Sequence, residues 1–110
     1  MIYTKEYPKL VDDFSAFEGI NSFTGIVKDK YDTIAYYLNG EFHRTDGPAI
    51  EESNGGKSWY LNGKLHREDG PAFYIGLYDQ AWYLNDKCYG YNDDYTNKSW
   101  KRFVKLELLK

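Results

Sequence analysis

Fourteen residues of this chain recur 23 positions later. Residues 37–50, YLNGEFHRTDGPAI, return as residues 60–73, YLNGKLHREDGPAF, with ten of the fourteen positions identical. Chance pairing at about one in twenty per position would give about one match. A third, fading copy opens another 23 residues on, at Trp82-Tyr83-Leu84-Asn85-Asp86-Lys87. A period of this length builds a fold from repeated supersecondary units whose contacts run between neighbours. Residues that recur with the period are therefore explained by architecture before chemistry.

The repeat predicts its own geometry. Asn39-Gly40 and Asn62-Gly63 sit between short β-prone runs, and Asn-Gly is the strongest short-range signal for a type I′ hairpin, which needs positive φ at both central residues. Asn85-Asp86 takes the same place in the third copy. Asp-Gly after each hairpin is a second turn signal, and Pro48 and Pro71, having no N–H to donate, belong at a strand's start or edge. Each copy thus supplies two or three short strands. Residues 8–18 predict a short helix, with Pro8 in its first turn, Leu10, Val11, Phe14 and Phe17 on one face, and Gly19 to end it. At the other end Trp100, Phe103, Val104 and Leu108 fall at i, i+3, i+4 and i+8, a helical spacing that Thr96 or Asp94 would cap. The expected fold class is mainly β (α+β): an elongated antiparallel sheet of tandem 23-residue hairpins with a short N-terminal helix and a C-terminal capping helix. One domain is expected over 1–110, divided as 1–21, 22–90 and 91–110.

Written as WYLNGKLHREDGPA, with Trp59, Asn62, Gly63, Lys64 and His66 on the pattern and Asn39, Gly40 and His43 one copy earlier, the chain resembles MORN repeats. The full motif resembles a variant of that repeat carried by bacteriophages, giant viruses and some bacteria. It departs from the ordinary unit at Arg44 and Arg67, where Gly commonly follows the His, and in the added Asp-Gly-Pro-Ala. The resemblance implies a scaffold or interaction module. It implies, more sharply, a small phage-type protein that binds and inhibits a host protein by occlusion, such as a component of a CRISPR or toxin defence system.

Charge is uneven. Residues 98–110 carry +4 and the remaining 97 carry −7, within a net charge of −3. An acidic body disfavours phosphate backbones and anionic lipid, whose binding relies on released counterions. Lys98, Lys101, Arg102 and Lys105 form the one basic patch, and the alternative reading is a nucleic-acid accessory protein using that helix, with Trp100 stacking on bases. No apolar run approaches the roughly 18 residues of a membrane span. The start of the sequence lacks a signal-peptide core, and the single Cys88 cannot form an internal disulfide. A cytoplasmic location is expected, the host's if phage-encoded.

No reaction is expected. His43 and His66 are the only histidines and recur with the repeat, so they should stack one unit apart instead of converging on a metal, which needs at least three ligands at one point. Arg44 with Asp46 and Arg67 with Asp69 read as a ladder tying turn to turn. Cys88 has no accompanying base and reads as a packing residue. No cofactor and no metal are expected. The aromatics are different: twelve Tyr, six Phe and three Trp in 110 residues exceed what so small a core can hold. Exposed Tyr and Trp on a rigid sheet make protein-contact anchors at little entropic cost. The candidate protein-binding set is Tyr37, Trp59, Tyr60, Tyr74, Tyr78, Trp82 and Tyr83 on one sheet face, rimmed by Glu51, Glu52, Asp79 and Asp86. The expected partner is a host protein or complex, and an exposed sheet edge could also pair two copies.

Overall fold

Each predicted hairpin turn runs through the left-handed region. In the computed structural model φ is 51° and 81° at Asn39 and Gly40, 52° and 78° at Asn62 and Gly63, and 49° and 69° at Asn85 and Asp86. Asp tolerates this conformation less readily than Gly. Here the Asp86 carboxylate also accepts the Leu65 amide at 2.8 Å, so its presence ties the third hairpin back to the second. The structure describes residues 23–76 and 79–110, and the backbone of 9–11.

The strands are β1 (Lys9–Val11), β2 (Gly25–Asp29), β3 (Ile34–Leu38), β4 (Glu41–Phe42), β5 (Ile50–Glu51), β6 (Lys57–Ser58), β7 (Tyr60–Leu61), β8 (Lys64–Leu65), β9 (Phe73–Ile75), β10 (Asp79–Leu84) and β11 (Lys87–Tyr91). A 3-10 turn (Asn92–Asp94) and the helix α1 (Asn97–Glu107) follow. Nine strands form one sheet in the order β1-β2-β3-β5-β6-β9-β10-β11, with β4 also on β3, while β7 and β8 pair as a separate hairpin. All pairings are antiparallel except β1 with β2. The architecture is the mainly β sheet with a C-terminal helix that the sequence implies.

The N-terminal expectation changes. Lys9–Val11 is a strand in register with Val27–Asp29, not helix. Leu10 and Val11 are as β-prone as they are helix-compatible, and the edge of β2 offers them a backbone ladder that local periodicity cannot reveal. The rest of the expected helix, residue 8 and residues 12–18, lies outside the described residues.

Cross-strand pairs assign the two faces. Val27 pairs with Ala35, Ala35 with Ile50, Ile50 with Ser58, Ser58 with Phe73, and Phe73 with Ala81. These residues, with Tyr37 and Phe42, share one face, here called the inner face. Val27, Ala35 and Tyr37 form a buried cluster there, joined by Phe23, Phe42 and Ile50. On the opposite, outer face Trp82 and Leu84 pack against Trp100 and Val104 of α1, with Tyr89, Tyr95 and Phe103 around them. Thr96 caps α1: its Oγ1 accepts the Ser99 amide at 3.1 Å, and its own amide donates to Ser99 Oγ at 2.9 Å.

Hydrogen bonds recur at the sequence period. Tyr36 N donates to Ala49 O and Trp59 N to Ala72 O; Arg44 N donates to Tyr60 O and Arg67 N to Tyr83 O. The histidines join successive copies. Asn62 N donates to His43 Nδ1 at 2.8 Å, and Asn85 N to His66 Nδ1 at 3.1 Å. A ring nitrogen that accepts carries no proton, so each ring holds its hydrogen on Nε2, and His66 Nε2 meets Glu68 Oε2 at 2.8 Å.

Candidate functional site

Neighbouring residues on a strand point to opposite faces, and this splits the expected aromatic surface in two. Tyr60 stands on the inner face, its ring 5.2 Å from Phe42. Tyr83 shares that face, paired with Cys88. Trp59 and Tyr74 lie on the outer face, 5.6 Å apart. Two of the expected contact residues are core. Tyr37 is 5 % exposed, packed with Val27 and Ala35 on the inner face, and Trp82 1 %, packed under Trp100 and Val104 of α1. Trp59 is roofed by the Arg67 guanidinium, 3.8 Å from the ring centroid. Glu51 is bonded to Arg44 Nη1 at 3.1 Å. Glu52 is half-buried where a tight turn returns to Gly56. Tyr78 lies outside the described residues.

On the outer face a cavity of about 580 Å³ is lined by Arg44, Asp46, Trp59, His66, Arg67 and Asp69, among others. Its polar groups are largely committed to one another. Arg44 Nε donates to Asp46 and Nη1 to Pro48 O; Arg67 repeats both bonds with Asp69 and Pro71. The ladder expected between turns is thus a ladder within each turn, with the arginine also stacked on the ring of Tyr36 or Trp59. The two histidines sit a repeat apart, each Nδ1 occupied by a backbone amide.

The inner face is open at its far end. A groove of about 380 Å³ there is lined by Leu65, Phe73, Ala81, Tyr83 and Tyr91, with Asp79, Gln80 and Asn92 around them. A shrinking column of side chains runs along this face. Phe42, Leu65 and Cys88 hold the same place opposite Tyr37, Tyr60 and Tyr83. The Phe42 ring bridges Tyr37 and Tyr60 at 5.0 and 5.2 Å, whereas Cys88 brings no ring and meets Tyr83 and Tyr91 through its thiol. Tyr91, 60 % exposed, forms the outer wall.

Asp79 lies in the lining of the groove and Asp86 near its tyrosines. Burial, then the Cys88 thiol and the Asp86 carboxylate, push the Tyr83 phenol up. Contact with Cys88 raises that of Tyr91. Burial and Asp86 raise Tyr60. Asp79 is exposed at the groove mouth, and its carboxylate has no hydrogen-bonding or ionic partner among the described residues.

Of the expected set, the structure brings Tyr83 and Asp79 together in this groove, with Asp86 and Tyr60 beside it. Leu65, Phe73 and Tyr91 were not in that set. For Leu65 the sequence held a signal, its place between Phe42 and Cys88 in one column of the repeat; Phe73 and Tyr91 reach the groove by pairing on either side of Ala81, which periodicity does not show. The basic patch is real as a surface: Lys98, Lys101, Arg102 and Lys105 are all exposed on α1. Base stacking by Trp100 is not open to it. That ring is fully buried and donates Nε1–H to Arg67 O at 2.8 Å. Among the described residues no helix is long and apolar enough to cross a membrane. Comparison with protein-family models, curated proteins and solved structures found no match to this chain.

Proposed function

We propose that this chain is a non-catalytic module that binds another protein through the open end of its inner face. The observation that carries this reading is the open apolar groove at Leu65, Phe73, Tyr83 and Tyr91. Rigid tyrosines beside an apolar floor, with carboxylates at the rim, have the composition of a contact patch with a hot-spot centre. The histidines and the Arg–Asp pairs are engaged in holding turns. The sharper form of the proposal, drawn from the resemblance of the repeat, is a phage-type protein that inhibits a host defence protein by covering its working surface.

Affinity capture from a bacterial host lysate, followed by binding isotherms with the purified partner, tests the reading. Tyr83→Ala or Tyr91→Ala should weaken the complex by about tenfold or more, the scale of a hot-spot truncation. Tyr31→Ala, an exposed ring remote in sequence from the groove, should leave it unchanged. A partner held equally well by all three variants would place the interface elsewhere.

A further inference from the structure

The chemistry of the groove selects among protein partners. Its walls are the rings of Phe73, Tyr83 and Tyr91, and its lining contains one carboxylate, Asp79, and no cation. Asp86 adds a second carboxylate beside Tyr83 and Tyr60. An aromatic face attracts a cation within about 6 Å of its centroid. A carboxylate without a partner gives that cation a directional contact.

The same molecule already pairs these groups on its other face. Arg44 lies 4.1 Å from the Tyr36 centroid with Asp46 at 2.8 Å from Nε. Arg67 lies 3.8 Å from the Trp59 centroid with Asp69 at 2.9 Å. In both, a guanidinium is sandwiched by a ring and clasped by a carboxylate. The groove offers rings and a carboxylate and lacks the guanidinium. Guanidinium is weakly hydrated and planar, so it leaves water for an aromatic surface more readily than an ammonium does. The volume of about 380 Å³ falls in the range of small-ligand sites, large enough for one extended side chain.

We propose that the groove takes an arginine side chain of a basic partner protein, its guanidinium over the tyrosine rings and against Asp79. This assignment rests on the protein-binding reading above and specifies the partner's chemistry.

The test needs no partner. The full chain, labelled with 15N, is titrated with N-acetyl-arginine N-methylamide and, separately, with the citrulline analogue, a neutral group of nearly the same shape. Arginine should shift the amides of Phe73, Ala81, Tyr83 and Tyr91 and bind at least about tenfold more tightly than citrulline, the order of a desolvated cation–π contact. Asp79→Asn should remove most of that preference. Tyr91→Ala, an exposed position whose loss leaves the buried clusters intact, should weaken arginine and bring the two probes together. Equal affinity for both probes, or shifts confined to other parts of the sheet, would overturn the arginine assignment while leaving protein binding standing. Failure of the capture experiment, with the arginine preference intact, would instead remove the protein-binding reading.

Discussion

The repeat body and the C-terminal end solve one problem with different materials. In the body each hairpin's outer ring, Tyr36 or Trp59, is roofed by the arginine of its own copy. One period further on the ring is Trp82 and the arginine's place is taken by Gly90. The roof is now Trp100 of α1, 5.4 Å from Trp82, whose Nε1–H reaches back to Arg67 O. Gly90 is needed for this change. A Cβ there would lie 2.9 Å from Asp94 Oδ2 and 3.1 Å from Tyr95, in the segment that delivers the chain into α1. An array can therefore end by exchanging a charged, solvent-tolerant roof for an apolar one brought in by a helix. The difference also explains where function could settle: the outer face is sealed at this end, and the inner face is not.

If the end is where cohesion is concentrated, truncating its roof should hurt most. Trp100→Ala removes a fully buried ring and its hydrogen bond, and should lower unfolding free energy by about 3–5 kcal/mol in denaturant titration. A loss near that of a surface change would mean the helix is decoration and the body carries the fold. Next comes the seam between copies. His66→Phe keeps the ring's bulk but leaves the Asn85 amide without its acceptor, at a cost of about 1–3 kcal/mol. His66→Asn, whose Oδ1 can occupy the place of Nδ1, should recover part of it. Equal loss in both variants would show that ring packing, not the backbone bond, joins the copies. Gly90→Ala should cost about 1–3 kcal/mol by overpacking, where alanine at the exposed strand residue Lys64 should cost little.

Local rules made much of this readable. The Asn-Gly turns, the Thr96 cap and the apolar stripe Trp100, Phe103 and Val104 of α1 follow from residues within a few positions of one another, and the structure has them where the sequence puts them; Leu108, expected on the same stripe, lies past the helix end and is exposed. The candidate surface was read less well because periodicity finds equivalent residues without saying which face is covered. Trp59 and Tyr60 recur together, yet the pleat sends one under Arg67 and the other beside Phe42. The surroundings of Tyr37 and Tyr83 depend on a neighbour from another strand, the Phe42 ring for the first and the Cys88 thiol for the second. Parallel pairing of β1 with β2 is likewise a contact between distant segments, and nothing in the 9–11 stretch announces it.

The smallest effect separates the end from the body by pH. Glu107, in the last turn of α1, accepts from Tyr89 Oη at 3.2 Å and pairs with Lys110 Nζ at 2.6 Å. The hydrogen bond from Lys110, and after it that from Tyr89, holds its carboxyl below the ordinary glutamate value of about 4.5. A carboxyl lowered in the folded state contributes stability that is present above its unfolded pKa and is lost as pH falls through the folded value. The helix end should therefore loosen as pH drops below about 4.5. Glu107→Gln should flatten that acid limb when melting temperature is followed by tryptophan fluorescence, which reports on Trp82 and Trp100. An acid limb of unchanged slope in the variant would assign the loss to carboxylates of the body, with Asp46 and Asp69 on their arginines the next to test.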